Sequence, residues 1–160
     1  PMRPFEGERL RQHEALRPED LEWMARLPTI VRLDQRWVVV HGGLEPARPI
    51  ADQHDRVVLR LRYVKENGKA ASTDDPTVMP EGARPWASAW PGPESVIYGH
   101  EVHDLEEPRV DRPAPGVECW GIDTGCCFGG HLTALVLPTG DVVRVRAKRT
   151  YAKLLVGDDD

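Results

Sequence analysis

The segment Trp37-Val38-Val39-Val40-His41-Gly42-Gly43-Leu44 decides how the rest of the chain is read. A tryptophan followed by three valines favours an extended strand, because β-branched and aromatic side chains fit a pleated, half-buried surface. The paired glycines after His41 mark the strand's end. A second segment repeats the arrangement: Ser95-Val96-Ile97-Tyr98 runs into Gly99-His100-Glu101. In open α/β sheets, ligands gather just beyond the carboxyl ends of strands. Two imidazoles at such ends can converge on one metal ion although they are remote in sequence. The alternative is that each is an ordinary hydrogen-bonded core or loop histidine, and the residues alone leave both readings open.

Working outward, residues 16–27 predict a helix. Pro18 suits its first position, Glu19 and Asp20 sit at the positive end of the dipole, and Pro28 stops it. Leu21, Met24 and Leu27 give it a narrow apolar stripe. Thr29-Ile30-Val31-Arg32-Leu33 predicts a strand, turned by Asp34-Gln35 into the Trp37 strand. Residues 55–64 read equally as a short helix or a strand. Residues 65–94 form a long polar connection broken by glycines and prolines, a length usually tied to function or mobility. Trp86 and Trp90 within it predict that part of it packs down. Residues 103–116 read as a second proline-rich loop. Residues 117–122, 132–137 and 142–147 read as strands, with Pro138-Thr139-Gly140-Asp141 turning between the last two. Residues 1–15 carry no assignment, and Asp158-Asp159-Asp160 reads as a frayed tail.

A chain of 160 residues, 40% hydrophobic, is expected to form one domain over residues 1–160. Its formal net charge of −5, with scattered Lys and Arg, points away from nucleic-acid binding. No apolar run approaches the roughly 20 residues of a membrane span, and no segment reads as a signal peptide. Three cysteines, Cys119, Cys126 and Cys127, do not make a disulfide framework, so a reducing, cytoplasmic setting is expected.

Other segments carry residue types suited to chemistry. Gly125-Cys126-Cys127-Phe128-Gly129-Gly130-His131 nearly copies the glycine spacing of a phosphate-binding loop. His131 stands where the lysine must be, and a strand-like run follows instead of a helix, so that reading fails. A tight glycine turn, with Asp123 and Thr124 bonding local backbone, fits better. Adjacent cysteines suit a tetrahedral zinc site poorly, and buried inert thiols are expected. Ser72, Ser88 and Ser95 lie outside any nucleophile elbow. Arg60 and Arg62 alternate with leucines; the residues alone suggest an amphipathic surface, although arginine also grips phosphate oxygens bidentately.

Taken in order, His41-Gly42-Gly43-Leu44, Tyr98-Gly99-His100 and Ile122-Asp123-Thr124-Gly125-Cys126, with Gly129-Gly130 and Leu132-Thr133-Ala134-Leu135, resemble the C-terminal half of the calcineurin-like metallophosphoesterases. The branch they resemble holds phosphoprotein phosphatases and bacterial diadenosine tetraphosphatases. The resemblance implies an α/β (α+β) fold, half of a two-sheet sandwich with flanking helices. It implies that His41 and His100 bind the same metal and that Arg62 reaches substrate phosphate, while leaving catalytic residues unassigned. The implied cofactors are two divalent ions about 4 Å apart that activate water, manganese first, with iron, zinc or nickel as alternatives. The implied partner is a phosphorylated protein, a dinucleoside polyphosphate or an inorganic polyphosphate.

The family's Asp-x-His, Gly-Asp-x-x-Asp-Arg-Gly and Gly-Asn-His-Glu segments do not occur in these residues. The chain is therefore expected to be a fragment or truncated reading frame: part of a metal-dependent phosphoesterase, nearly inactive and poorly soluble by itself. A symmetrical dinucleoside tetraphosphate hydrolase, with Trp86 or Trp90 stacked on adenine, is one alternative. A non-catalytic truncated binding module is the other.

Overall fold

In the computed structural model, which describes residues 7–72 and 78–152, the strand before His41 lies second in a five-stranded mixed sheet. The elements run α1 (Gly7–Glu14), α2 (Pro18–Ala25), β1 (Ile30–Arg32), β2 (Trp37–Val40), α3 (Asp55–Val58), β3 (Tyr63–Val64) and β4 (Arg84–Pro85). They continue with β5 (Ser95–Tyr98), β6 (Arg109–Ala114), β7 (Val117–Gly121), β8 (His131–Val136) and β9 (Asp141–Arg146). The main sheet has the order β1-β2-β5-β7-β6, and two small hairpin sheets, β3-β4 and β8-β9, stand beside it. The α/β class expected from the sequence is the one found.

Strands β2, β5 and β7 are parallel to one another, and β1 and β6 flank them antiparallel. Parallel strands covered on both faces carry continuous apolar runs. Accordingly β5 is buried at every residue, and Val38 and Val96 are wholly inaccessible. Leu44, Val58, Val64, Trp86 and Trp90 close the core over this sheet. The β1-β2 turn forms because Asp34 accepts hydrogen bonds from the amides of Arg36 and Trp37, each at 2.7 Å.

Several expectations need correction. The predicted helix over 16–27 shortens to α2, with Pro18 opening it and the Asp20 carboxylate accepting from the Arg17 amide at 3.1 Å. Its apolar stripe of Leu21, Met24 and Leu27 is exposed. Residues 7–14, unassigned from sequence, form α1. The ambiguous stretch 55–64 is both things in turn, α3 and then β3. The expected loop over 103–116 contains β6, an edge strand of the main sheet. Pro113 hid it, yet an edge position with a register shift between Asp111 and Ala114 is where a strand tolerates proline. Residues 65–94 contain β4 and a short 3-10 turn at Trp86–Ala89, while residues 73–77 lie outside the described residues. The Asp158-Asp159-Asp160 tail also lies outside them.

Strands β8 and β9 match their predicted positions within a residue. Their outer face presents Leu132, Val136, Val143 and Val145 to solvent. No described helix is long and apolar enough to cross a membrane.

Candidate functional site

The parallel run of β2, β5 and β7 sends three loops off one edge of the sheet. His41 follows β2 directly, His100 follows β5 by two residues, and Asp123 follows β7 by two. The His41 and His100 rings lie 5.0 Å apart between centroids, tilted by 55°. The Gly99 amide donates to the His41 carbonyl at 2.9 Å, and the Ile122 amide to the Tyr98 carbonyl at 2.9 Å. These bonds carry the parallel ladder past the strand ends and hold the loops side by side. A methyl group on Gly99 would stand 3.6 Å from the Asp123 Cβ, which puts that carboxylate beside the histidine loops.

The two glycines after His41 have separate physical reasons. The amides of Gly42 and Gly43 both donate to the Val58 carbonyl, at 2.8 and 3.1 Å, fastening the end of α3 against the loop. A Cβ at position 42 would come within 2.9 Å of the Arg60 nitrogen, and one at 43 within 2.4 Å of Trp86 Nε1. Trp86, buried, donates from Nε1 to the Gly42 carbonyl at 3.1 Å. Both Trp86 and Trp90 are core residues, so neither offers a face to a base, and the expected adenine-stacking role is withdrawn.

His100 has φ +72°, the only non-glycine residue among those described with positive φ. The left-handed region costs an L-residue roughly 1–2 kcal/mol, and such strain concentrates at functional sites. The His100 imidazole is held below its ordinary pKa, chiefly by burial and then by the positive charge of Arg62 and by His41. It is therefore kept neutral, with a lone pair available.

Arg62 reaches this place because β3 and the turn before it fold along the same edge. The Trp86 amide donates to the Arg62 carbonyl at 3.0 Å, and the Tyr63 hydroxyl donates to Glu101 at 2.8 Å. Together these segments wall a cavity of about 820 Å³, lined among others by His41, His100, Arg56, Arg60, Arg62 and Tyr63. The structure thus brings His41, His100 and Arg62 together. It corrects the reading of Arg60 and Arg62 as a plain amphipathic surface, since both face the cavity. Arg56, Tyr63 and the position of Asp123 were missed. The four-residue spacing of Arg56 and Arg60 becomes one helical turn only because α3 forms there.

The glycine turn behaves as a turn. Asp123 accepts from the Gly125 amide at 3.1 Å, and Thr124 donates to the His131 carbonyl at 2.8 Å. His131 Nδ1 lies 2.9 Å from the Leu105 carbonyl. His103 faces Glu101 at 3.7 Å and the Tyr98 ring at 6.3 Å. Of the three cysteines only Cys119 is buried, its thiol pushed up to about 12 by burial; Cys126 is half-buried and Cys127 exposed, which corrects the expectation of three buried thiols.

A nitrogen ligand sits about 2.0–2.1 Å from a zinc-type ion, so two rings at this separation can share one cation. Imidazoles at strand ends fit such a role as part of a ligand set. Among the described residues no group of three His, Cys, Asp or Glu side chains is disposed to hold a metal, so a complete set needs further donors.

No family model matches the chain. The chain is 31% identical over 147 residues to an asymmetrical bis(5'-nucleosyl)-tetraphosphatase of Geobacillus thermodenitrificans, covering 84% of this chain and 53% of that protein. It is 32% identical over 102 residues to a symmetrical bis(5'-nucleosyl)-tetraphosphatase of Baumannia cicadellinicola, covering 61% and 33% respectively. Among solved structures it superposes with TM-score 0.69 and 27% identity on one provisionally described as a diadenosine tetraphosphatase, covering 86% of this chain and 59% of that one. The chain spans about half the length of the first of these relatives and a third of the second. The fold and the likeness in sequence agree, and both relate the chain to the diadenosine tetraphosphatase-like branch of the calcineurin-like metallophosphoesterases.

Proposed function

We propose that the chain forms part of a metal-dependent hydrolase of dinucleoside polyphosphates, cleaving a phosphoanhydride bond with activated water. The observation that carries this is the 5.0 Å pairing of the His41 and His100 rings at the mouth of an arginine-lined cavity. His41 and His100 would hold a divalent cation, whose chemistry when bound is to acidify water and neutralise the phosphoryl oxygens. Arg62, permanently charged, grips the phosphate that is attacked. Burial and the Arg62 charge keep His100 in the neutral form that a ligand requires. Val57, Leu59 and Leu61 supply the apolar part of the wall.

Two imidazoles are too few for a working centre, so the remaining donors come from protein outside the described residues, and this stretch alone is expected to be nearly inactive. Manganese is the cation we favour, with iron, zinc or nickel acceptable to an imidazole and oxygen set. The free thiols support a reducing, cytoplasmic setting. Relatives named for both symmetrical and asymmetrical cleavage support a dinucleoside tetraphosphate over a phosphoprotein.

The test is hydrolysis of diadenosine tetraphosphate by the full-length protein with Mn²⁺, products resolved by chromatography. Two ADP report symmetrical cleavage; ATP with AMP reports asymmetrical cleavage. His41→Ala and His100→Ala should each lower the rate by about 100-fold or more, since even an outer-shell partner of a metal ligand costs 10–100-fold. Undiminished rates in both variants would refute the assignment.

A further inference from the structure

We propose that Arg56 and Arg60 form a second anion-binding station on the wall of the His41–His100 cavity, taking the phosphates of a polyphosphate chain beyond the one held at Arg62. The inference rests on the reading above only for the place of Arg62; the two new residues are argued independently.

Arg56 lies on α3, and the backbone bonds from Leu59 to the Asp55 carbonyl (3.0 Å) and from Arg60 to the Val57 carbonyl (2.9 Å) carry the helical turn on to Arg60. Residues four apart on such a turn are surface neighbours, about 5–6 Å between Cβ atoms. Both side chains are exposed and both line the cavity. Several arginines elsewhere are matched with carboxylates: Arg17 with Asp20, Arg32 with Glu94, Arg48 with Glu45, Arg109 with Asp111. Arg56 and Arg60 have no such match among the described residues. The acid beside them, Asp55, is engaged by the Thr29 hydroxyl at 2.6 Å. None of the described lining residues is acidic.

In a chain of net charge −5, this excess of positive charge among the described lining residues is not background. Uncompensated charge of one sign on a concave wall focuses field and draws in the opposite charge. Guanidinium forks match phosphate oxygens two at a time. A single phosphoryl group is served by one such fork. Three of them strung along one wall suit a ligand with several phosphates in a row. A nucleic-acid backbone would call for basic residues spread over an open face, whereas these converge on one cavity.

The experiment is calorimetric titration of the metal-free full-length protein with sodium tripolyphosphate and, separately, with orthophosphate. Wild type, Arg56→Ala/Arg60→Ala and Arg56→Lys/Arg60→Lys are compared, with circular dichroism confirming that the exposed substitutions leave the fold intact. Wild type should bind tripolyphosphate more tightly than orthophosphate. The double alanine variant should lose about tenfold for tripolyphosphate, equivalent to about 1.4 kcal/mol, and shift orthophosphate much less. The double lysine variant should recover part of the loss, because an ammonium keeps the charge and not the fork. Equal affinities for the two anions, absence of tripolyphosphate binding, or an unaltered double alanine variant overturns the proposal. Failure of the full-length protein to hydrolyse dinucleotides would leave this binding difference standing, so the two readings fall separately.

Discussion

The carbonyl of His41 accepts a hydrogen bond from the amide of Gly99 at 2.9 Å, so the two histidine-bearing loops are tied together by backbone. The separation of the imidazoles is then set by the sheet and requires no cation to create it. His100 meets that geometry only by taking φ +72°.

A stability comparison at position 100 follows. Glycine adopts positive φ without steric cost, and alanine does not. His100→Gly should therefore be more stable than His100→Ala by about 1 kcal/mol, read from urea midpoints. Both variants lose the imidazole alike. Equal stabilities would show that the backbone at this position relaxes once the ring is removed.

Gly43 is the contact point between the loop and the core. Its missing Cβ leaves room for Trp86 Nε1, which would otherwise lie 2.4 Å away. Gly43→Ala should cost about 1–3 kcal/mol, the usual penalty of overpacking, and should shift Trp86 fluorescence as the indole gives up its bond to the Gly42 carbonyl. Gly82→Ala is the control. No atom lies within 4 Å of its would-be Cβ, although φ +70° makes some strain expected there too. The fluorescence change should be confined to the Gly43 variant.

Alkaline pH should unfold the chain in part through Cys119. Burial raises its thiol from 9.0 to about 12, so the folded state keeps the proton after the unfolded chain has lost it. The resulting stability is complete below about pH 9 and declines as pH rises toward 12. Tyr63, also raised to about 12 by burial and by Glu101, adds a decline of the same sign from pH 10. Cys119→Ala should be less stable at neutral pH, because it leaves a cavity, yet show a shallower fall between pH 9 and 11 in urea titrations. At pH 8 a thiol reagent should label exposed Cys127 in the native protein and reach Cys119 only after unfolding.

The outward face of β8 and β9 carries Leu132 and Val145 at 66% and 63% exposure. Side chains so far out of the core contribute little to folding. Leu132→Lys and Val145→Thr should each change unfolding free energy by no more than about 0.5 kcal/mol, while Val96→Ala in the inaccessible centre of the sheet should cost about 2 kcal/mol or more. Chemical denaturation of the three variants decides the ranking.

Much of the frame was legible from residue order. The apolar runs of β2 and β5 announce strands because buried parallel strands need side chains that fit both faces, and the glycines after His41 and before His100 announce where they end. Pro18 and Pro28 bracket α2 through the geometry of the proline ring. The edge strand β6 escaped notice because Pro113 speaks against a strand, and only its position at the sheet's margin permits it. The exposure of α2's stripe was not legible, since periodicity tells which side chains share a face and not whether anything covers that face.

Sequence by itself determined most local shapes and the chemistry available: two imidazoles at strand ends, several arginines between residues 56 and 62, glycines that mark where strands stop. Tertiary structure alone decided that His41 and His100 are neighbours, that Asp123 stands beside them, and that Arg56, Arg60 and Arg62 share one wall. The reason is physical. Strand and turn preferences are written in neighbouring residues, whereas the order β2-β5-β7 arises from pairing between segments far apart in the chain. It is that parallel pairing which brings their carboxyl ends to a common edge.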